Sequence, residues 1–153
     1  MKKIGIYLLI IVFLFVTGCS NNKVKTAATL DDFESLLVEQ SFTVSDNMKE
    51  YSGVDYVLES KKAIYDDIEI EMVKYVDSEY AKKVQDSQIE SFNLLKSSGA
   101  FEKKEEGKNY YKYFLISNSR YMINARVDNT LIFCKTLLEN KEKVEEIYNS
   151  LGY

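Results

Sequence analysis

Two cysteines and no histidine limit the nucleophilic chemistry that this chain could perform. Cys134 follows the strand-like run of residues 130–133. A catalytic thiol needs a nearby base to form its thiolate, and histidine usually supplies that base. We therefore expect Cys134 to be a buried structural thiol. Histidine is also the commonest zinc ligand, and the sequence predicts neither a catalytic residue nor a metal site.

Three acidic residues at alternating positions, Asp67, Glu69 and Glu71, form a second group with chemical potential. Paired carboxylates can exchange protons or hold Ca²⁺. On a strand, however, successive members of this row stand roughly 6.5 to 7 Å apart, too far for one ion without other ligands. We expect a solvated strand face that a lysine from a neighbouring strand partly neutralises.

Aromatic and polar side chains converge on one face of a predicted three-stranded meander. The turns Asn118-Ser119 and Asp128-Asn129 set its register, because Asn and Asp tolerate a positive φ. That register places Tyr111 opposite Arg126 and Asn124 opposite both Tyr113 and Phe133. Rings, a guanidinium and an amide can stack on and hydrogen-bond a sugar, a peptide or another protein. The candidate binding face consists of Tyr111, Tyr113, Asn124, Arg126 and Phe133, together with Leu131.

The opposite face of these strands is apolar and predicts the core. It contains Phe114, Ile116, Tyr121, Ile123, Ala125, Ile132 and Cys134. Two interpretations of the polar face stay open. Either it binds a partner, or a helix or loop packs over it while the Arg and Tyr stems cover the sheet.

Apolar periodicity and capping residues place the elements that must position these side chains. The predicted helices cover residues 29–40, with Thr29 as the N-cap, 77–98 and 140–152. The predicted strands cover residues 42–48, 54–59, 64–76, 110–117, 120–127 and 130–137, and residues 101–108 are predicted to form a charged loop. The order α-β-β-β-α-β-β-β-α predicts an α+β fold with an antiparallel sheet and helices packed on one face. It is also compatible with a duplicated αβββ unit.

The N-terminus has a basic head, Lys2 and Lys3, followed by an uncharged apolar run over residues 4–16. A membrane-spanning helix needs roughly 20 such residues, so the run is typical of a signal peptide. Val16-Thr17-Gly18-Cys19 comes directly after it, and here the sequence resembles the precursors of bacterial lipoproteins. The resemblance implies removal of residues 1–18, lipid on Cys19 and an extracytoplasmic location at the cell membrane. The alternative is an ordinary secretory signal with a chance cysteine.

The mature chain divides into a polar tether, residues 19–28, and a single α+β domain, residues 29–153. The nine residues 20–28 would reach roughly 30 Å if fully extended. As a whole, the mature region resembles the small lipoproteins of Gram-positive bacteria. No motif in it names a functional family.

Charge and composition narrow the class of function. The chain has 20 basic and 24 acidic residues, so loss of Lys2 and Lys3 leaves 18 against 24, a net charge of −6. Proteins that bind nucleic acids usually have a net positive charge or a basic patch, and this acidic net charge argues against that function. We expect a non-catalytic binding or interaction module of the cell envelope, without a cofactor. Its partners would be the bilayer, through the acyl chains on Cys19, and an envelope protein or cell-wall polymer.

Two other functions compete with this expectation. One is an accessory subunit that captures a ligand for a membrane complex. The other is an envelope hydrolase that uses carboxylates. The lack of histidine and of Gly-x-Ser-x-Gly and Ser-x-x-Lys motifs argues against the hydrolase.

Overall fold

A computed structural model describes residues 23–153. The predicted signal peptide, Cys19 and residues 20–22 lie outside the described residues. The helices are α1 (Leu30–Glu39), α2 (Ser78–Asn93) and α3 (Lys141–Ser150), with short 3₁₀ helices at Met48–Tyr51 and Leu138–Asn140. The strands are β1 (Thr43–Asp46), β2 (Val57–Tyr65), β3 (Ile68–Tyr75), β4 (Phe101–Glu106), β5 (Tyr110–Ser117), β6 (Arg120–Val127) and β7 (Thr130–Leu137).

Side-chain caps begin α1 and α2, whereas Asn140 at the start of α3 makes no side-chain cap hydrogen bond. The Thr29 hydroxyl accepts the backbone N–H of Asp32 at 3.1 Å, and the Asp32 carboxylate accepts the N–H of Thr29 at 2.9 Å. This reciprocal pair is a capping box, and it lowers the pKa of Asp32. At α2, the carboxylate of Asp77 accepts the backbone N–H groups of Glu79 and Tyr80, both at 2.9 Å.

All seven strands form one antiparallel sheet in the order β1-β2-β3-β7-β6-β5-β4. The predicted register of the last three strands is confirmed: Tyr111 pairs with Arg126, and Asn124 with Tyr113 and Phe133. Residues Asn118, Ser119 and Asp128 adopt φ angles of 51°, 59° and 50°. These left-handed conformations are those that two-residue hairpins require.

Two features of the strands differ from the prediction. The predicted strand over residues 64–76 begins only at residue 68, because residues 64–65 are the end of β2 and Asp66, with φ 53°, lies in the turn between β2 and β3. Residues 101–106, predicted as part of a loop, form the edge strand β4, so the order is α-β-β-β-α-β-β-β-β-α. All six β4 side chains are exposed, so no alternation marks it in the sequence. The second half therefore has one strand more than an αβββ repeat.

The prediction that the helices pack on one face is wrong. Helices α1 and α3 cover the predicted apolar face, where Phe33, Leu37, Val144 and Tyr148 belong to the main core. Helix α2 covers the opposite face, where Ala81 belongs to one small cluster on the sheet and Ile89 and Phe92 pack against another. The connection from β3 to β4 crosses that face through α2.

The sheet has two ends that matter for the site. We call the end with the turns at residues 107–109 and 128–129 the lower end, and the end with the Asn118-Ser119 turn the upper end. Helix α2 begins at the lower end, and the N-terminal segment lies there too. Each of the three helices of residues 23–153 is too short or too polar to cross a bilayer.

Candidate ligand-binding site

The predicted binding face exists as one surface, but α2 covers its centre. Tyr113, Asn124 and Leu131 are fully buried, whereas Tyr111, Arg126 and Phe133 are half-buried at its margins. The structure therefore matches the second interpretation for the centre of the face, a helix packed over it. Only the margins are accessible to a ligand.

A polar network fixes α2 on the sheet. Gln85 is 1% exposed, and its Nε2 donates to the Asn124 Oδ1 at 2.8 Å and to the backbone carbonyl of Tyr111 at 3.0 Å. Asn124 Nδ2 in turn donates to the Gln88 Oε1. Because each buried amide has its partners, the network specifies the position of the helix without an unsatisfied polar group.

Tyr113 serves the same interface at the other end of α2. Its hydroxyl donates to Glu102 Oε2 at 2.7 Å and also lies 3.0 Å from Asn93 Oδ1. Burial, together with the hydrogen bond to the Glu102 carboxylate, raises the pKa of Tyr113. The side chain joins α2 to the edge strand β4 and is a structural residue.

Arg126 and Tyr111 line a small pocket at the lower end, which we call the Arg126 pocket. Its volume is about 270 Å³, and its lining consists of Lys82, Gln85, Asp86, Glu106, Gly107, Tyr110, Tyr111 and Arg126. Arg126 Nε donates to Gln85 Oε1 at 3.2 Å, and its Nη1 donates to the backbone carbonyl of Asp128 at 3.3 Å. No ion pair within residues 23–153 includes Arg126, and burial lowers its pKa.

The N-terminal segment, residues 23–28, docks beside this pocket. Asn109 brackets Lys25 through its side chain, accepting the Lys25 N–H at 3.0 Å and donating to the Lys25 carbonyl at 2.9 Å. Lys108 N donates to the Lys23 carbonyl at 2.9 Å, and Ala28 N donates to the carbonyl of Leu151 at 3.0 Å. The predicted tether therefore lies along the domain from residue 23 onward, which leaves three residues between this segment and Cys19.

The surface on which residues 23–28 dock requires glycine at two positions. A Cβ on Gly107 would lie 2.5 Å from the Lys23 carbonyl oxygen and 2.2 Å from Tyr110 Cε1. A Cβ on Gly152, where φ is 80°, would lie 2.4 Å from the carbonyl oxygen of Thr26. These approaches are too close for a real side chain, so both glycines allow the segment to reach the domain surface.

The predicted acidic row does not act as a unit. Asp67 accepts the Asn140 amide at 2.9 Å, and Glu69 pairs with Lys62 at 3.2 Å, the lysine partner that we expected. Glu71 is instead only 4% exposed, so the expectation of a solvated face is wrong for this residue. Its Oε1 accepts hydrogen bonds from the side chains of Asn47, Tyr51 and Ser60 at 2.7, 2.7 and 2.8 Å.

These contacts argue against a metal site on the row. The three carboxylates satisfy separate partners, and no cluster of three or more potential ligands occurs within residues 23–153. Phe133 and Lys135 join the row around a shallow depression of about 320 Å³. Phe133 is half-buried at this depression, whereas Arg126 lines the pocket at the lower end, so the two residues do not share a pocket.

Cys134 is 1% exposed in the main core. Burial raises the pKa of its thiol to about 12. A thiol in this environment stays protonated at neutral pH, as expected for a structural cysteine.

Sequence reasoning missed the part of the pocket that α2 supplies. Ala81, Gln85 and Gln88 follow the helical spacing of the buried stripe of α2. A polar amide within that stripe was the sequence signal that α2 makes polar contacts with the sheet. Nothing local marks the contact of Asn109 with Lys25, because 84 residues separate them. Comparison of the chain with protein-family models, with curated proteins and with solved structures found no match.

Proposed function

We propose that the protein is a lipid-anchored, non-catalytic binding module on the outer face of the cell membrane, held with its lower end toward the bilayer. The observation that carries this proposal is the docking of residues 23–28 on that end. Four residue steps separate Lys23 from Cys19, so their Cα atoms lie at most about 14 Å apart. Lipid on Cys19 would therefore bring the lower end close to the membrane surface.

Lipidation would make the attachment firm. Each buried CH₂ group contributes about 0.8 kcal/mol, and two acyl chains suffice for stable anchoring where one does not. A docked N-terminal segment would then also restrict how the domain turns on its anchor. A freely swinging domain would expose all its faces equally to the envelope, whereas a held domain presents one end to the bilayer and the other outward.

Metabolic labelling with a radioactive fatty acid tests the anchor. The wild-type protein should incorporate label, and Cys19→Ser should not. Cys134→Ser is the matched control, because it removes the other cysteine and should leave labelling unchanged. Absence of label from the wild type, or label that survives Cys19→Ser, would contradict the proposal.

The Arg126 pocket favours a second candidate, an accessory subunit that captures a ligand for a membrane complex. The pocket lies at the lower end, where a membrane partner could receive the ligand. Affinity purification of the lipidated protein from membranes separates the two functions. A stable protein partner without a co-purifying small molecule supports an interaction module, whereas a bound small molecule supports capture.

A further inference from the structure

Arg126 has donor capacity that the described residues do not use. A guanidinium has five N–H donors, and two of them bond to Gln85 and to the carbonyl of Asp128. Gln85 is itself fixed by Asn124 and by the Tyr111 carbonyl, so the guanidinium is held by a buried network. A planar fork in a fixed position is suited to bidentate binding of an oxyanion such as phosphate or carboxylate.

The rest of the pocket carries charges of both signs. Lys82 adds a second positive charge, and Asp86 and Glu106 add two negative charges at the exposed rim. A simple anion would be repelled by the two carboxylates, and a simple cation by Lys82 and Arg126. A zwitterion satisfies both pairs, because its oxyanion and its ammonium meet opposite charges.

Size and place narrow the ligand further. Pockets for drug-sized ligands measure about 300–1,000 Å³, so a pocket of about 270 Å³ suits a head group or a similarly small molecule. Gly107 and Tyr110 line the pocket and also contact the N-terminal segment. Within that contact, Lys25 Nζ lies 4.7 Å from the centre of the Tyr110 ring. The pocket thus opens next to the stretch of chain that leads to Cys19.

From this geometry we infer that the Arg126 pocket binds a phosphoethanolamine group, with the phosphate on Arg126 and the ammonium against Asp86 and Glu106. The membrane is the expected source, as the head group of a zwitterionic phospholipid, and this part of the inference rests on the proposed function. A free phosphoethanolamine molecule has the same ammonium group and a phosphate that can also bind Arg126, although as a monoester it carries more negative charge than the phosphodiester of the lipid. The two sources are separated by experiment below.

The first test uses the unlipidated mature chain carrying Cys19→Ser, which contains every described residue and does not depend on lipid attachment. Titration with phosphoethanolamine is followed by the NMR signals of the Arg126 Nε–H and the Gln85 side-chain amide. We expect saturable shifts at millimolar concentration and at least about tenfold weaker binding by Arg126→Gln, because a charge-assisted hydrogen-bonded pair is lost. Arg120→Gln is the matched control, since Arg120 is exposed at the upper end of the same strand, and it should bind like the wild type.

Asp86→Asn tests the zwitterion directly, and because Asp86 is exposed, the substitution should leave the fold intact. Loss of this carboxylate should weaken phosphoethanolamine binding and strengthen binding of inorganic phosphate, by up to about fivefold each, as for an exposed charge pair. Changes of the same sign for both ligands would overturn the inference. So would equal affinity of the wild type for phosphate and phosphoethanolamine, or no saturable shift with either.

Vesicles identify the source. The same unlipidated chain should co-sediment with phosphatidylethanolamine-containing vesicles more than with pure phosphatidylcholine or phosphatidylglycerol-containing vesicles, and Arg126→Gln should abolish the difference. Binding of free phosphoethanolamine without a vesicle preference would overturn the lipid source and leave the site as one for a soluble ligand. A failure of Cys19 to become labelled would refute the proposed function but not the titration result, so the two failures are distinguishable.

Discussion

Asn109→Ala should release the N-terminal segment from the lower end of the sheet. The wild-type side chain makes three hydrogen bonds, two with the backbone of Lys25 and one from its Nδ2 to Asp128 Oδ2 at 2.9 Å. A hydrogen bond contributes about 0.5–1.5 kcal/mol net, and water can replace part of it at this half-buried site. We expect a loss of about 1–2 kcal/mol in the free energy of unfolding, equivalent to a decrease in Tm of roughly 3–8 °C.

Hydrogen exchange is the sharper assay of this change. In the wild type the Lys25 amide should exchange slowly, because it donates to a fixed acceptor, and in Asn109→Ala it should exchange nearly as fast as an unstructured amide. Amides in the centre of β6 should stay protected in both proteins. Asn149→Ala is the control, because Asn149 is exposed on α3 and its side chain makes no hydrogen bond within residues 23–153. Fast exchange of Lys25 in the wild type would refute the docking of the segment.

Three further predictions concern buried groups. Glu71→Gln should lower the free energy of unfolding by about 1–3 kcal/mol in urea titrations, because three hydrogen-bond donors lose a charged acceptor. Glu69→Gln, on the surface, is the control and should cost less than about 1 kcal/mol, so equal effects of the two substitutions would contradict this prediction. Burial lowers the pKa of Lys112 from 10.5, and within residues 23–153 its Nζ makes one hydrogen bond, a long one of 3.4 Å to the carbonyl oxygen of Tyr153. Lys112→Met should therefore be more stable than the wild type. The folded wild type releases this proton at a lower pH than the unfolded chain does. Its stability deficit should therefore be full below the folded-state pKa and shrink as pH rises through that pKa toward 10.5, and a constant deficit would argue against burial as the cause. Cys134, with a pKa of about 12, should resist modification by iodoacetamide at pH 8 in the native state and should react after unfolding in urea. If the native protein were modified as fast as the unfolded protein, the thiol would be accessible and the prediction would be wrong.

The parts of the fold that the sequence predicted are those with a local cause. Thr29 and Asp77 begin helices because their side chains accept backbone N–H groups three residues or fewer away. Asn118 and Asp128 fix hairpin register because they tolerate a positive φ. Register in turn assigned the inner face of β5 to β7 correctly, including buried Cys134.

The parts that escaped prediction depend on distant contacts. Strand β4 has no alternation of apolar side chains, and its side-chain contact with β5 from Tyr113 to Glu102 depends on the fold rather than on a local pattern. The register alone could not decide whether the polar face was open, because the answer depends on where α2 packs. Gln85 and Asn124 lie 39 residues apart in the chain, and their contact is what converts most of that face into interior.

The orientation of the domain on the membrane is the most direct test of the account. The lipidated protein would be placed in vesicles that contain a nitroxide-labelled lipid, and broadening of backbone amide signals would be measured by NMR. Strand β6 spans seven residue steps of about 3.3 Å, so its two ends differ in depth by up to about 23 Å. We predict strong broadening at Asn109 and Asp128 and little at Asn118 and Ser119. Equal broadening at the two ends, or the reverse order, would contradict a domain held with its lower end toward the bilayer.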